Sequence, residues 1–236
     1  MALRELRFSG TRIAEALTMP ERTVRAVLAR HGASKLPPID AHAPKNRFER
    51  PAPGELIHID VKKLGKIGRE GHRINGDRTT RTRGIGWEFV HVCVDDCTRM
   101  AYVEVLKDEK TDTVIGFLKR ALAHFAELGV IVERLMTDNG SAYRSHAHAA
   151  ACRTLGIRHL FTQPYRPKTN GKAERFIRTL QAEWAYAAAF PTSAARTRAL
   201  SAFLARYNHH RPHKSLGGIP PAQRLAERLN APAAYS

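Results

Sequence analysis

Residues 56–62 read Leu-Ile-His-Ile-Asp-Val-Lys. From Ile57 onward, apolar and polar side chains alternate, which is the period of a strand with one buried face. The string leaves Asp60 in mid-strand, where a charge needs a reason. Downstream, Trp87 to Val94 has the composition of a second strand, Asp95-Asp96-Cys97 of a turn, and Met100 to Leu106 of a third strand. Asp112 to Leu128 carries the helical period. Val130 to Met136, after Gly129, is a short apolar strand. Ala142 to Leu155 reads as a helix and Gly156 to Phe161 as a strand. The loop Thr-Gln-Pro-Tyr-Arg-Pro-Lys-Thr-Asn-Gly leads into a helix from Lys172 to Ala189, and a last helix covers Ser193 to Tyr207.

Three hairpin-linked strands followed by helical crossovers predict an α/β chain with a mixed five-stranded sheet and helices on both faces. That is the layout of a ribonuclease-H-like fold. The expected core covers residues 55–225, with 226–236 as a tail.

Upstream of the first strand, residues 33–54 are rich in proline, lysine and arginine and read as an extended basic linker. Residues 1–32 read as a helix-turn-helix segment. Ser9 caps a helix over Thr11 to Leu17, Thr18-Met19 make the turn, and Pro20 opens a second helix ending at Arg30 before Gly32. Ile13, Ala16, Leu17, Val24, Val27 and Leu28 are the expected shared core. Arg22, Thr23, Arg25 and Arg30 stay outside, so the second helix can enter a major groove. Modules of this type need a third helix to bury enough surface, so this one is expected to be clipped at its N-terminus.

The 236 residues carry 39 Lys and Arg against 22 Asp and Glu, a formal charge of +17. A chain this basic meets a polyanion, and nucleic acid is the common one. No apolar run reaches membrane-spanning length and the N-terminus does not read as a signal peptide, which points to the cytoplasm and the nucleoid. Three cysteines, Cys93, Cys97 and Cys152, are too few for a disulfide framework and read as small buried side chains. His209, His210 and His213 lack a further ligand at zinc spacing.

Two further acids stand out. Asp138 ends the fourth strand in Thr-Asp-Asn-Gly, residues 137–140, and Glu174 falls in the first turn of the helix after the proline-rich loop. Thirty-five residues, 139–173, separate them. If the first and fourth strands are neighbours, Asp60 faces Asp138, and that helix has only to cross the sheet edge for Glu174 to join them. Three such carboxylates repel one another unless cations lie between them, and hard oxygen donors suit Mg²⁺ or Mn²⁺. Two ions would clamp the attacking and leaving oxygens of a phosphoryl transfer. Taken singly each acid has an ordinary reading: Asp138 as a turn former, Glu174 paired with Arg178, Asp60 with a basic partner. Asp95 and Asp96 read as structural turn residues remote from this edge.

The strings His-Ile-Asp at 58–60, Thr-Asp-Asn-Gly at 137–140, QPYRPKTNGKAERFIRTL at 163–180 and YNHHRPHKSLGGIPPAQRL at 207–225 carry a resemblance. Segment 55–225 resembles the catalytic core of retroviral integrases and bacterial insertion-sequence transposases. The resemblance implies an Asp, Asp, Glu triad at Asp60, Asp138 and Glu174 binding two Mg²⁺ or Mn²⁺ ions. It implies nicking at transposon ends, then attack of the freed 3′ hydroxyl on target DNA, by a homodimer or larger assembly on double-stranded DNA. The candidate DNA contacts are Arg22, Thr23 and Arg25 in the second helix; Lys66, Arg73 and Arg81 in the basic, glycine-rich insert 63–83; Arg166, Lys168 and Lys172 around the proline-rich loop; and Arg178. A catalytically silent DNA-binding regulator of transposition and a nuclease that cuts without joining are the competing readings.

Overall fold

The computed structural model describes residues 1–36, 49–68, 86–162 and 170–230. The chain divides into two compact units, Met1–Phe48 and Glu49–Ser236.

In the first unit, α1 (Ala2–Glu5), α2 (Gly10–Leu17) and α3 (Glu21–Arg30) follow in order. Ser9 caps α2, its hydroxyl accepting from the Arg12 N–H, and Thr18 closes it at φ 52°. Pro20 is the N-cap of α3, one position earlier than the sequence suggests, and Gly32 follows the helix at φ 65°. The core is Ile13, Ala14, Val24 and Leu28, with Leu3 and Phe8 packed on it. Ala16, Leu17 and Val27, expected inside, are exposed. The unit is not reduced to two helices, because α1 brings a third. Its Arg4 guanidinium donates to the carbonyls of Phe8, Ala33 and Ser34 at 2.8–2.9 Å, tying both ends of the unit together.

The second unit is built on a five-stranded sheet, ordered β3-β2-β1-β4-β5. The strands are β1 (Ile57–Gly65), β2 (Trp87–Asp95), β3 (Ala101–Leu106), β4 (Arg134–Thr137) and β5 (Arg158–Phe161). The first three pair antiparallel; β4 runs parallel to β1, and β5 parallel to β4. Sheet and helices thus take the predicted mixed arrangement. The helices are α4 (Thr111–Glu127), α5 (His146–Thr154), α6 (Gly171–Leu180), α7 (Ser193–Arg198), α8 (Leu200–His209) and α9 (Pro221–Leu229).

Strand alternation sorts the core onto two faces. Ile57, Ile59 and Cys93 pack with Phe117, Leu118 and Phe125 of α4, Cys152 of α5 and Leu225 of α9. Leu64, Val90, Val92 and Val94 pack on the other side with Ala173, Phe176, Ile177 and Leu180 of α6 and Phe203 and Tyr207 of α8. His58 and Asp60 share the parity of Leu64, so they belong to the α6 face.

Several boundaries move for tertiary reasons. β4 starts at Arg134, not Val130, and Ile131, expected in the strand, is 86% exposed. Residues 141–145 are turns, and α5 starts only after Ser145, whose hydroxyl caps it. The helix expected through Ala189 gives way after Leu180 to a π turn, Gln181–Ala185. The wider turn brings Trp184 into the core, where its indole donates to the Arg196 carbonyl at 2.8 Å. Ser193 to Tyr207 is two helices, α7 and α8, with Ala199 between them. α9, with proline at its first turn, has no counterpart in the sequence reading and crosses the expected start of the tail at 226. At the other end, residues 49–54 are bonded into the core rather than extended: Arg50 N–H donates to Asp96 and Gly54 N–H to Asp95. No helix among the described residues is long and apolar enough to cross a membrane.

Candidate active site

β1 and β4 are neighbours, with Ile57 beside Leu135 and His58 beside Met136. Continuing that register by two residues sets Asp60 level with Asp138. Asp60 is half-buried, and its Oδ1 accepts from the Val61 N–H at 2.8 Å. Asp138 is exposed just past the end of β4; its Oδ1 accepts from the Gly140 N–H at 2.9 Å. A Cβ at residue 140 would lie 3.0 Å from that oxygen, so glycine lets the turn close on the carboxylate. Asn139 donates from Nδ2 to the Thr162 carbonyl at 2.9 Å, bracing the turn against the chain leaving β5.

Glu174 arrives from the other direction. α6 buries Ala173, Phe176, Ile177 and Leu180, the i, i+3, i+4, i+7 stripe of an amphipathic helix, against β1 and β2. Glu174 sits next to that stripe in the first turn and is half-buried. The Asp60 carboxyl is pushed up to about 6, chiefly by burial and further by the charges of Asp138 and Glu174. Among the described residues no Lys, Arg or His forms an ion pair with any of the three, so the bland pairing of Glu174 with Arg178 is absent. Tyr143 lies on the opposite side of the sheet from α6, its hydroxyl buried without a partner. Burial, then the charges of Asp60 and Asp138, keep its proton on.

A second, buried network holds this cluster in shape, and sequence patterning did not reveal it. His58 Nε2 lies 2.8 Å from Asp96 Oδ1, and His58 Nδ1 lies 3.1 Å from Asn170 Oδ1. The Lys172 ammonium donates to the same Asp96 Oδ1 at 2.7 Å, and the Arg50 N–H donates to Oδ2 at 2.7 Å. Burial alone would raise the Asp96 carboxyl, but the bonds from His58, Lys172 and Arg50 hold it well below the usual range. Asp96 is therefore structural, as expected, yet not remote: it fastens the start of α6, which bears Glu174, to β1, which bears Asp60. The one hint in the sequence is that His58, Asn170 and Lys172 are polar residues inside the quoted motifs. Asp95 is buried as well, accepting from Gly54 N–H and from the N–H and hydroxyl of Thr98.

Lys172, expected at a phosphate, is half-buried and pairs with Asp96 at 2.7 Å. Arg178 and Arg175 are both exposed on the outer face of α6. Lys66 is exposed just past β1. In the first unit Arg22, Thr23 and Arg25 are exposed on α3, with Arg25 bonded to Glu21 one turn back. Arg73, Arg81, Arg166 and Lys168 lie outside the described residues. All three cysteines are free and buried.

Comparison with known proteins agrees with this arrangement. The family profile described as "Integrase core domain" matches residues 50–167, and a second profile of that description matches residues 155–221. A putative transposase InsD for insertion element IS2E of Escherichia coli is 28% identical over 117 residues, covering 50% of this chain and 53% of that protein. The chain spans from about a tenth to about half the length of the curated relatives it matches. Among solved structures, a chain of the simian T-cell lymphotropic virus intasome in complex with PP2A regulatory subunit B56 gamma superposes with a TM-score of 0.62 at 19% identity, covering 97% of this chain and 77% of that one. The HTLV-2 integrase catalytic core domain in complex with magnesium superposes with a TM-score of 0.51 at 20% identity, covering 74% and 97%. These likenesses establish the ribonuclease-H-like layout of the second unit. With that profile running over residues 50–167, half of the chain, the protein belongs to the integrase core domain family.

Proposed function

We propose that this chain is a DNA transposase that nicks transposon ends and transfers the freed strand into target DNA, with Asp60, Asp138 and Glu174 as its metal-binding carboxylates. The observation that carries the reading is that Asp138 and Glu174 lie close enough to raise the Asp60 carboxyl, while among the described residues no cation forms an ion pair with any of the three. The donor set fits a hard divalent cation, because its oxygens are carboxylate and its unbalanced charge is negative. Asp60, Asp138 and Glu174 would hold Mg²⁺ or Mn²⁺, two ions in the full site, which stabilise charge on the attacking and leaving oxygens of an in-line displacement. The HTLV-2 relative in complex with magnesium supports the same choice of ion.

The chain's own residues supply position. Asp60 and Asp138 hold fixed places on adjacent parallel strands, while the Asp96 network locks the helix that delivers Glu174. In the first step a water oxygen attacks phosphorus and the 3′ oxygen of the cut strand leaves with a proton, giving a free hydroxyl. In the second, that hydroxyl attacks a target phosphorus and the target's own 3′ oxygen leaves. One phosphodiester bond forms for each broken in the second step, so no nucleotide cofactor is needed.

The surplus of positive charge supports double-stranded DNA as the partner, through Arg22, Thr23 and Arg25 of α3, Lys66, Arg73, Arg81, Arg166, Lys168 and Arg178. Two ends joined at one target call for a homodimer or larger assembly, acting in the cytoplasm at the nucleoid. The test uses purified protein, Mn²⁺ and labelled DNA carrying the element's terminal repeats. Nicked and joined products should form, and Asp138→Asn should lose them while still retaining DNA. Equal product from both proteins would remove the site assignment. Binding by wild type with no chemistry would favour a silent regulator instead.

A further inference from the structure

Behind Asp138, on the side of the sheet away from Glu174, lies a second group of metal-ligand side chains. His148 and Cys152 sit one turn apart on α5, and His159 is on β5. One donor atom from each lies within 4.8 Å of the others, and among the described residues this trio of His, Cys, Asp or Glu alone comes so close. We infer that His148, Cys152 and His159 form a binding site for a soft divalent transition metal such as Zn²⁺, separate from the carboxylate site.

Geometry and hydrogen bonding carry this inference. The His148 Nδ1 to Cys152 Sγ distance is 3.7 Å. Nitrogen and sulfur ligands on one tetrahedral zinc stand about 3.5 Å apart, given their usual bond lengths. His148 is fully buried, and among the described residues the polar partner of its Nδ1 is the Cys152 sulfur, so the two donor atoms face each other in a site closed to solvent. The tautomer of His159 points the same way. Thr137 Oγ1 donates to the Asp138 carbonyl at 2.9 Å, so at 2.8 Å it accepts from His159 Nε2. The proton is then on Nε2 and the lone pair is on Nδ1, with the outer nitrogen held by an oxygen as metal-bound histidines commonly are. Zinc would displace the thiol proton of Cys152 and leave a fourth position for water.

The ligands join α5 to β5, and His159 leads through Thr137 to the backbone of Asp138. A metal here would stiffen the strand that presents one of the acids without touching the acid itself.

Co²⁺ is the probe, titrated into metal-stripped full-length protein. The expected result is one equivalent bound, with a thiolate-to-cobalt charge-transfer band and the visible bands of a tetrahedral site. Zn²⁺ should displace it and excess Mg²⁺ should not. Cys152→Ala and His148→Phe should each weaken binding at least ~10-fold and remove or alter the band, whereas Asp138→Asn should keep it. Because these side chains are buried, circular dichroism checks that each variant folds. X-ray absorption on zinc-loaded wild type gives an answer independent of any variant, with one sulfur and two imidazole nitrogens expected. Absence of a thiolate band, a shell without sulfur, or a band lost only with Cys93→Ala or Cys97→Ala would each overturn the inference. Failure here would leave the transposase reading untouched.

Discussion

Asp60 lies half-buried in β1 with its carboxyl pushed up to about 6 by burial and then by Asp138 and Glu174. In an unfolded chain the same group titrates near ~4. Between those values the folded protein holds more protons, so this residue lowers stability as pH rises from about 4 to about 6, and the cost persists above that. Metal-free Asp60→Asn should therefore be more stable than wild type at pH 7, by roughly 1–3 kcal/mol. The gap should close as pH falls towards 4, and saturating Mn²⁺ should narrow it at pH 7 by neutralising the wild-type cluster. Urea denaturation at several pH values checks this; a wild type that is the more stable at pH 7 without metal would contradict it. By the same proton balance, Mn²⁺ affinity should weaken as pH drops through about 6, because the cation competes with the Asp60 proton.

Elements meet at the active site through buried polar bonds, and there the Asp96 network matters most. It joins the turn after β2 to His58 of β1 and to Asn170 and Lys172 at the start of α6. The Asp96 carboxyl, held low by these bonds, contributes stability that is present above the unfolded carboxylate range and is lost as pH falls below it. Asp96→Asn should cost about 2 kcal/mol at neutral pH, since it leaves the buried His58 and the half-buried Lys172 beside a weaker acceptor. The deficit relative to wild type should shrink below about pH 4. Joining activity should fall more than DNA retention, because Glu174 loses its fixed approach; unchanged activity would show that α6 is held by its apolar stripe alone. Gly54 is the other critical junction. It adopts φ 80°, and a Cβ there would stand 2.1 Å from the Ile131 carbonyl oxygen. Gly54→Ala should destabilise by at least ~2 kcal/mol, from left-handed strain and overlap together, read as a lower midpoint in thermal or urea unfolding.

At the scale of the whole molecule, a net charge of +17 should dominate association with DNA. Each phosphate neutralised by Lys or Arg releases counterions, so binding should fall steeply with salt, by about 10³-fold or more between 50 and 200 mM if six or more phosphates are contacted. A flat dependence in filter-binding or anisotropy titrations would rule out phosphate contacts as the main source of affinity. The apolar core is split by the sheet, and each side has its own helices, so the place where β4 ends beside the middle of β1 is the natural one for chemistry.

Local pattern sufficed for much of this. Alternation in Ile57–Lys62, the turn string at Asp138 and the amphipathic run from Ala173 to Leu180 are properties of short segments, so the strands, their order along the chain and the places of the three candidate acids in those elements could be read from sequence. Adjacency of β1 and β4 was a conditional in the sequence, and only the sheet pairing made Asp60 and Asp138 level. The π turn at Gln181–Ala185, the late starts of β4 and α5, and helix α9 were not legible, because each depends on a surface made by residues far away in the chain. The same holds for Lys172 turning inward to Asp96 and for His148, Cys152 and His159 meeting behind Asp138. Periodicity tells which face a residue takes; which ionisable group waits on that face is decided only when distant segments are buried against each other and their polar atoms must find partners.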